Sequence, residues 1–295
     1  MKKTFEYLRP RTPVEAYGLK ARYGKKSRFW AGGTDLLLQW QDEIVSLDYC
    51  IDLSFIPDLD YIRKDSDAVS IGSLTKVASI EASSELNHSL SIVREAAGEL
   101  AAPQIRNTAT IGGNICRAAP SADLAPPLLV LGADMRLLSD SGERWVAMDD
   151  YFLNLNQTAL QENELLAEIK VPIPPAETAS CFLKVGRTVI DIAIVNMSAR
   201  MTMDDKGLLT DVRIAFGAVA PTPLRIKTAE KMLLGADASR IENALIGEVS
   251  NQVAEEIKPI TDVRGTAEYR REISRVLTKR AIENIIQVLQ RRLKV

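Results

Sequence analysis

Two short segments built around a Gly-Gly pair constrain the fold of this chain most: Ala31-Gly32-Gly33-Thr34-Asp35 and Thr110-Ile111-Gly112-Gly113-Asn114. In each, a β-forming or apolar approach leads into two glycines and then a small side chain that can form hydrogen bonds. Glycine allows positive φ and lets another group approach the backbone without meeting a Cβ. We therefore expect either two tight turns between strands or turns whose exposed N–H groups bind a phosphate.

Neither segment matches a familiar nucleotide-binding template. The chain contains no G-x-G-x-x-G and no G-x-x-x-x-G-K-[ST], so a Rossmann domain and a P-loop are disfavoured. Two segments with a similar layout favour a shared ligand over two unrelated turns. We refer to residues 31–35 as the first glycine motif and to residues 110–114 as the second.

Side chains that carry out catalysis without a cofactor are scarce. His88 is the one histidine, in a polar segment at a predicted helix end, where we expect a surface or capping role. A Ser-His-Asp or Cys-His mechanism would depend on it, and no G-x-S-x-G motif is present. Cys50, Cys116 and Cys181 include no C-x-x-C pair. That spacing predicts reduced thiols in a cytoplasmic protein and no zinc or iron–sulfur site in this chain. Difficult chemistry therefore requires a bound organic cofactor.

Composition and charge disfavour several classes of partner. A hydrophobic content of 46% with 26% charged residues, over 295 residues, is typical of one large or two ordinary globular domains. The net charge is −2 without a long run of Lys or Arg, which disfavours nucleic acid and anionic membranes. We find no run of about 18 apolar residues. The basic start, residues 1–6, leads into no apolar segment typical of a secretory signal.

The first half of the chain has the pattern of alternating helices and strands. Thr12 as N-cap and Pro13 at the first helical position predict a helix that stops at Gly24. A strand from Ser27 then places the first glycine motif at its C-terminal end, where α/β folds tend to bind ligands. The later elements are expected to be strands 49–53 and 68–72, helices 76–86 and 91–100, an irregular stretch 103–114, a buried segment 124–131, a hairpin over 135–146 and strand 165–173.

A proline cluster at residues 172–175 predicts a boundary between two domains, 1–176 and 177–295. Beyond it, β-rich runs at 180–186, 192–202 and 211–219 predict a small antiparallel sheet. Helices are expected to follow at 228–234, at 240–257 with a capping box of Ser239 and Glu242, and from 267 to about 290 with Thr266 as N-cap. A sheet followed by helices indicates an α+β domain.

The chain resembles the FAD-binding (medium) subunits of the molybdenum hydroxylases, the family that includes bacterial xanthine dehydrogenase and carbon monoxide dehydrogenase. Both glycine motifs look like hallmarks of that family, and the second is followed by Ala119-Pro120-Ser121-Ala122-Asp123. The resemblance covers nearly the whole chain. Its other matching segments are 51–53, 57–59, 71–75, 184–187, 191–195, 262–265 and 269–271.

This resemblance implies an α+β fold in two domains. Residues 1–176 would form a two-lobed FAD-binding domain of the PCMH, or vanillyl-alcohol-oxidase-like, type, with lobes of about 1–55 and 56–176. Residues 177–295 would form a smaller α+β domain of the CO dehydrogenase flavoprotein type, with an antiparallel sheet and helices. FAD would lie, bound non-covalently, between the two lobes of the first domain.

The resemblance also assigns individual residues to the cofactor. Backbone N–H groups with Thr and Asn side chains can neutralise a diphosphate without a Lys or Arg. Asp123 would meet the ribose-adenine side, with a helix N-cap as its alternative role. The residues implied are Ala31, Gly32, Gly33, Thr34, Asp35 and Leu36 at the diphosphate; Ala109, Thr110, Gly113 and Asn114 opposite them; Cys116 and Leu166 beside the isoalloxazine ring; Lys184 near the flavin; and Asp123.

The function that the resemblance implies is electron transfer. Substrate would be hydroxylated at a molybdenum cofactor on a separate large subunit. Electrons would pass through [2Fe-2S] clusters on a small subunit to this FAD, and then to NAD⁺ or another acceptor. Family assemblies are often dimers of heterotrimers.

Two alternatives remain open at this point. One is a self-sufficient FAD oxidase or reductase of the same superfamily, which needs a substrate-site acid or, often, a covalent flavin link to a histidine. The other is an assembly scaffold that has lost its flavin. The paired glycine motifs argue against a scaffold, since a scaffold has no physical need for two phosphate-binding loops.

Overall fold

The computed structural model describes residues 4–293, and its first lobe is built on a small parallel sheet. The elements of this lobe are β1 (Glu6–Leu8), α1 (Pro13–Tyr23), β2 (Ser27–Trp30), α2 (Leu36–Gln41) and β3 (Tyr49–Asp52), with the strands in the order β1-β3-β2. Helix α1 starts and stops as predicted, because the Thr12 hydroxyl accepts from the N–H of Glu15 and Gly24 ends the helix at φ +52°. The first glycine motif links β2 to α2. It therefore lies at the carboxyl end of a parallel strand, as expected.

The second lobe packs helices against an antiparallel sheet of five strands. Its elements are β4 (Ile62–Lys64), β5 (Ala68–Gly72), α3 (Val77–Ala82), α4 (Ser91–Gly98), α5 (Pro103–Arg106), α6 (Ile111–Cys116), α7 (Ala125–Leu131), β6 (Asp134–Ser139), β7 (Gly142–Ala147), α8 (Met148–Tyr151), β8 (Phe152–Asn154), β9 (Gln157–Thr158) and β10 (Leu165–Pro172). The sheet has the order β4-β5-β10-β6-β7, while β8 and β9 pair separately. The predicted strands at 68–72 and 165–173 and the hairpin at 135–146 are confirmed.

The stretch from residue 103 to residue 114 contains two short helices, α5 and the start of α6, joined by residues 107–110, where the prediction was an irregular stretch. Pro103 occupies the first position of α5, a role that suits its fixed φ and missing N–H. Thr110 then caps α6, whose first turn contains Gly112 and Gly113. The predicted helix at 76–86 is also shorter than expected, since α3 ends at Ala82.

The C-terminal part is an antiparallel sheet covered by helices, as predicted. Its elements are β11 (Thr178–Val185), β12 (Val195–Met203), β13 (Leu209–Gly217), β14 (Leu224–Arg225), α9 (Lys227–Leu233), α10 (Asn243–Glu256) and α11 (Ala267–Arg292), and its strand order is β11-β12-β13-β14. Residues 173–177 connect β10 to β11. The exact limits of the two domains stay predictions.

The predicted capping box at Ser239 and Glu242 is wrong. Helix α10 begins only at Asn243, and the Glu242 side chain makes no capping bond. Ser239 instead donates its N–H and its hydroxyl to Oδ1 of Asp237, at 2.8 and 2.6 Å. Local side-chain bonding of this kind competes with helix initiation and delays the start of the helix.

Within residues 4–293, three clusters of buried apolar side chains hold these layers together. One lies behind the parallel sheet, one between the helices and sheet of the second lobe, and one under α9, α10 and α11. The second cluster also includes Phe182 and Ala215 of the C-terminal sheet. Helix α7, buried along its whole length, packs on β12 and β13. The segment between α6 and α7 is therefore held against the C-terminal sheet, where the N–H of Ala218 donates to the Pro120 carbonyl at 2.7 Å.

The helices between residues 4 and 293 include none that is both long enough and apolar enough to span a membrane.

Candidate cofactor site

The first glycine motif is an open loop whose glycines lie against other groups. A Cβ on Gly32 would lie 2.2 Å from the carbonyl oxygen of Thr108, so the loop rests directly on backbone of the second lobe. Gly33 has φ +70°, and a Cβ there would lie 2.2 Å from the ring of Trp30. Close backbone contact at one position and a left-handed conformation at the next both require glycine.

The backbone N–H groups of the first motif are free to bind a ligand. Among residues 4–293, no backbone carbonyl accepts from the N–H groups of Gly32, Gly33, Thr34 or Asp35. The carbonyl oxygens of the loop are used, since those of Gly33 and Asp35 accept from Leu37 and Gln39 at 3.1 and 3.0 Å. A loop that presents several unpaired N–H groups beyond a strand's carboxyl end can bind a phosphate.

The second glycine motif offers no comparable set of backbone donors. The N–H groups of residues 111–114 all have partners: Ile111 donates to the Thr75 carbonyl at 3.0 Å, Gly112 to the Ser73 carbonyl at 2.8 Å, Gly113 to the Thr110 hydroxyl at 3.0 Å and Asn114 to the Thr110 carbonyl at 3.0 Å. The expectation of two equivalent phosphate-binding turns is therefore wrong. The second motif can contribute side chains to a ligand, whereas its N–H groups build the start of α6.

Asn114 is the side chain of the second motif that lacks a partner. Its Oδ1 atom is buried, and no donor in the described part of the chain reaches it. A buried amide oxygen left unpaired costs free energy, so such an atom calls for a ligand or water partner. Gly113, the residue before it, is exposed, and a Cβ there would lie 3.9 Å from the Cβ of Ala31. The two motifs thus border the same space.

An arginine that sequence reasoning missed connects the two motifs. Arg117, at the C-terminal end of α6, forms an ion pair with Asp35 of the first motif. It also donates to Oδ1 of Asn156 at 2.6 Å. Arg117 follows Gly113 by four residues, a spacing that places both on one face of a helix. Only the prediction of a helix at residues 111–117 would therefore have pointed to Arg117.

Asp123 and Lys184 lie together, at the contact between the second lobe and the C-terminal sheet. The Asp123 carboxylate accepts from Nζ of Lys184 at 2.8 Å and from Nδ2 of Asn196 at 2.7 Å. The two paired side chains are only 8% and 4% exposed. Burial raises the pKa of the Asp123 carboxyl, while both donors favour its charged form. The alternative role as a helix N-cap is wrong, since α7 follows Leu124 and has no side-chain cap.

Cys116 and Leu166 pack against the core of the second lobe. Leu166 is 2% exposed within that core, and Sγ of Cys116 lies 3.3 Å from the Tyr151 hydroxyl. Burial raises the pKa of the Cys116 thiol to about 11, so the thiol is protonated at neutral pH. Their place beside the flavin ring stays a prediction. His88 is exposed, as expected of a surface residue.

Both parts of the chain match known families. Residues 3–174 match the model of the FAD binding domain in molybdopterin dehydrogenase, and residues 180–285 match that of the CO dehydrogenase flavoprotein C-terminal domain. The chain belongs to the FAD-binding medium subunits of the molybdenum hydroxylases. The family, the fold class and the cofactor FAD expected from the sequence are therefore confirmed.

Relatives of this medium subunit align along almost its full length. It is 33% identical to the carbon monoxide dehydrogenase medium chain of Afipia carboxidovorans, over 95% of this chain and 96% of that protein. It is 30% identical to the xanthine dehydrogenase FAD-binding subunit of Escherichia coli O157:H7, over 95% of each. A solved structure of carbon monoxide dehydrogenase from Hydrogenophaga pseudoflava matches with a TM-score of 0.93 and 31% identity, covering 98% of this chain and 99% of that one. The medium subunit is accordingly a subunit of an oxidoreductase.

The residues of the two motifs fit FAD chemically. The free N–H groups at residues 32–35 suit the oxygens of a diphosphate. The unpaired Asn114 oxygen suits a hydrogen-bond donor of the cofactor. Glycines that exclude a Cβ allow the backbone to approach such a ligand closely.

Proposed function

We propose that this medium subunit is the electron-transfer component of a molybdenum hydroxylase assembly. It would hold FAD non-covalently, receive electrons from [2Fe-2S] clusters on a small partner subunit and deliver them to NAD⁺ or another acceptor. Hydroxylation of the substrate would take place at the molybdenum cofactor of a large partner subunit, in a dimer of heterotrimers. When bound, FAD supplies the reversible two-electron chemistry that amino-acid side chains lack.

The unpaired N–H groups of the first glycine motif carry this proposal. Four successive residues, 32–35, leave their backbone donors unused, while the carbonyl oxygens of Gly33 and Asp35 are bonded. Backbone donors fixed in place before a ligand arrives bind an anion without reorganising. A diphosphate is the part of FAD that needs such donors.

We assign the predicted residues to the following roles. Ala31 to Leu36 hold the diphosphate through the backbone, while Ala109 and Thr110 support this loop and α6 from the second lobe. Gly113 leaves space for the cofactor, and Asn114 pairs with one of its polar groups. In this assignment the pair of Asp123 and Lys184 holds the segment after α6 against the C-terminal sheet, with Asp123 on the ribose-adenine side of FAD and Lys184 on the flavin side. Cys116 and Leu166 support the isoalloxazine ring.

The first experiment is the visible absorption spectrum of the purified full chain, followed by identification of the cofactor released by acid. Flavin absorption and released FAD are the expected result. A colourless protein that cannot be reconstituted with FAD would contradict the proposal and favour an assembly scaffold.

Asn114→Ala tests the contribution of the second motif. We expect FAD to bind roughly tenfold more weakly, since one hydrogen bond to the cofactor is lost. The matched control is Asn251→Ala, because Asn251 is an exposed asparagine within α10. Fluorescence titration with FAD should give the wild-type dissociation constant for this control. Equal affinities in both variants would remove Asn114 from the site.

The route of the electrons is tested with the isolated chain and with partner subunits. Small aldehyde or purine substrates should not bleach the flavin of the isolated chain, whereas a reduced [2Fe-2S] partner subunit should. Bleaching by a small substrate alone would favour a self-sufficient oxidase or reductase. Formation of NADH on addition of NAD⁺ tests the acceptor, and sedimentation of the mixed subunits tests the dimer of heterotrimers.

A further inference from the structure

Arg117 occupies a junction of three segments that are distant in sequence. Its guanidinium forms an ion pair with Asp35, which precedes α2, and donates to Oδ1 of Asn156, in the turn between β8 and β9. The N–H of Asn156 in turn donates to the carbonyl of Ala118 at 3.2 Å. Bonds on two sides fix the direction in which the guanidinium points.

Asp35 presents an electrostatic problem for the proposed site. Its carboxylate belongs to the loop whose free N–H groups would receive a diphosphate, so two negative groups would lie on one short segment. Like charges at short distance repel, and the repulsion is larger where water is partly excluded. The loop therefore needs a positive group that neutralises Asp35 before it can bind an anion.

Arg117 is the group placed to do this. It contacts Asp35 directly, while Gln39 donates a neutral N–H to the same carboxylate. Among the ion pairs of residues 4–293, Asp35 has no other cationic partner. The pair also spans the two lobes, since Asp35 belongs to the first and Arg117 to the second.

We propose that Arg117 is a positioning residue for FAD, which acts by neutralising the Asp35 carboxylate of the first glycine motif. This inference rests on the proposed function and adds a residue that lies outside both motifs. It predicts that loss of Arg117 weakens FAD binding because the Asp35 carboxylate is then left without its positive partner. Removal of that carboxylate should then restore binding.

The test is an FAD titration of the full-length chain at low salt, with Arg117→Gln, Asp35→Asn, the double variant and Arg117→Lys. Arg117→Gln should raise the dissociation constant about tenfold, because the diphosphate then faces an uncompensated carboxylate. The double variant and Arg117→Lys should return to within about threefold of wild type, since the first lacks the carboxylate and the second keeps a cation. The defect of Arg117→Gln should shrink as salt screens the charges.

Arg136→Gln is the matched control. Arg136 pairs with Glu143 in the same domain, and its side chain is 35% exposed, the same fraction as that of Arg117, with carboxylate partners 49% and 52% exposed. This variant should bind FAD as wild type does. Thermal unfolding of each apo-protein separates a binding defect from a loss of folding.

Each outcome decides the inference. If wild type binds FAD and Arg117→Gln binds equally well, the inference fails while the proposed function stands. If Arg117→Gln binds weakly and the double variant is not restored, the effect of Arg117 does not come from neutralising Asp35, and the inference fails. If wild type itself does not bind FAD, the proposed function fails, and the inference fails with it.

Discussion

The two glycine motifs share their letters but differ in what their backbones offer. In the first motif the N–H groups of residues 32–35 are unpaired, whereas in the second those of residues 111–114 all bond to protein acceptors. The first is a loop with Gly33 in the left-handed region, and the second is the first turn of a helix. A Gly-Gly pair thus marks a place where another group packs closely against the backbone. Whether the N–H groups there can bind a ligand depends on whether protein acceptors already bond to them.

The leading glycine of each motif has the same role. A Cβ on Gly32 would collide with the Thr108 carbonyl, and a Cβ on Gly112 would lie 2.6 Å from the Ser73 carbonyl. Both glycines therefore allow backbone to pack on backbone. The two motifs differ in side-chain capping: the Thr110 hydroxyl caps α6 by accepting from the N–H of Gly113, whereas α2, which follows the first motif, has no side-chain cap.

Amide hydrogen exchange offers the largest contrast between the two motifs. In the apo-protein the amides of residues 32–35 should exchange quickly and those of 111–114 slowly, since only the latter are hydrogen-bonded. FAD at about 100 times its dissociation constant should slow exchange at 32–35 by up to about 100-fold. Peptide-level mass spectrometry with and without FAD measures this. Fast exchange at 111–114 in the apo-protein would show that the two motifs do not differ.

Gly32→Ala should have the next largest effect. The new Cβ would lie 2.2 Å from a backbone oxygen that cannot move aside as a side chain would. Overpacking of this kind lowers the free energy of unfolding by about 1–3 kcal/mol. Gly18→Ala in α1 is the control, since no atom lies within 4 Å of its new Cβ. Denaturant titration measures both variants, and equal stabilities would show that the first motif does not depend on close backbone contact.

Much of the fold follows from local sequence signals. Thr12 with Pro13, and Thr266, predict helix starts that the structure contains, because cap side chains bond within a few residues of themselves. The second motif shows where such signals fail. Its first turn is held by the backbone carbonyls of Thr75 and Ser73, which lie far earlier in the chain and which no local pattern announces.

The sequence indicates which residues make up the two glycine motifs, but it does not indicate the charge pairs that form between the lobes. Asp35 stands inside a motif, but its partner Arg117 stands outside one and is brought to it only by the orientation of α6. The pairing of Asp123 with Lys184 likewise depends on the C-terminal sheet packing against the second lobe. Side-chain identity could be read from the sequence, whereas these distant contacts required the tertiary structure.

Thr110→Ala should lower the free energy of unfolding less than Gly32→Ala does. It also distinguishes the helix-capping role of Thr110 from its effect on FAD binding. Loss of an N-cap hydroxyl costs about 1 kcal/mol of unfolding free energy. Thr266→Ala is the control, since Thr266 caps α11 in the same way, accepting from Tyr269 at 3.1 Å. Both variants should lose similar stability in denaturant titrations, but only Thr110→Ala should weaken FAD binding, because Asn114 moves with α6. Equal FAD affinities would show that the cap matters to folding alone.

Gly113→Ala should have the smallest effect on stability, because this second-motif glycine is already helical. Alanine is favoured over glycine in a helix by about 1 kcal/mol, and the new Cβ would meet the Thr110 hydroxyl at 3.0 Å, which offsets part of that gain. The net change should stay within about 0.5 kcal/mol. Gly247→Ala in α10, with no atom within 4 Å, should show the full gain.

Because the Gly113 Cβ would point toward Ala31, FAD affinity should fall by about threefold in Gly113→Ala and not in the Gly247→Ala control. A stability loss above about 1 kcal/mol in Gly113→Ala would mean that the second motif needs glycine as strictly as the first.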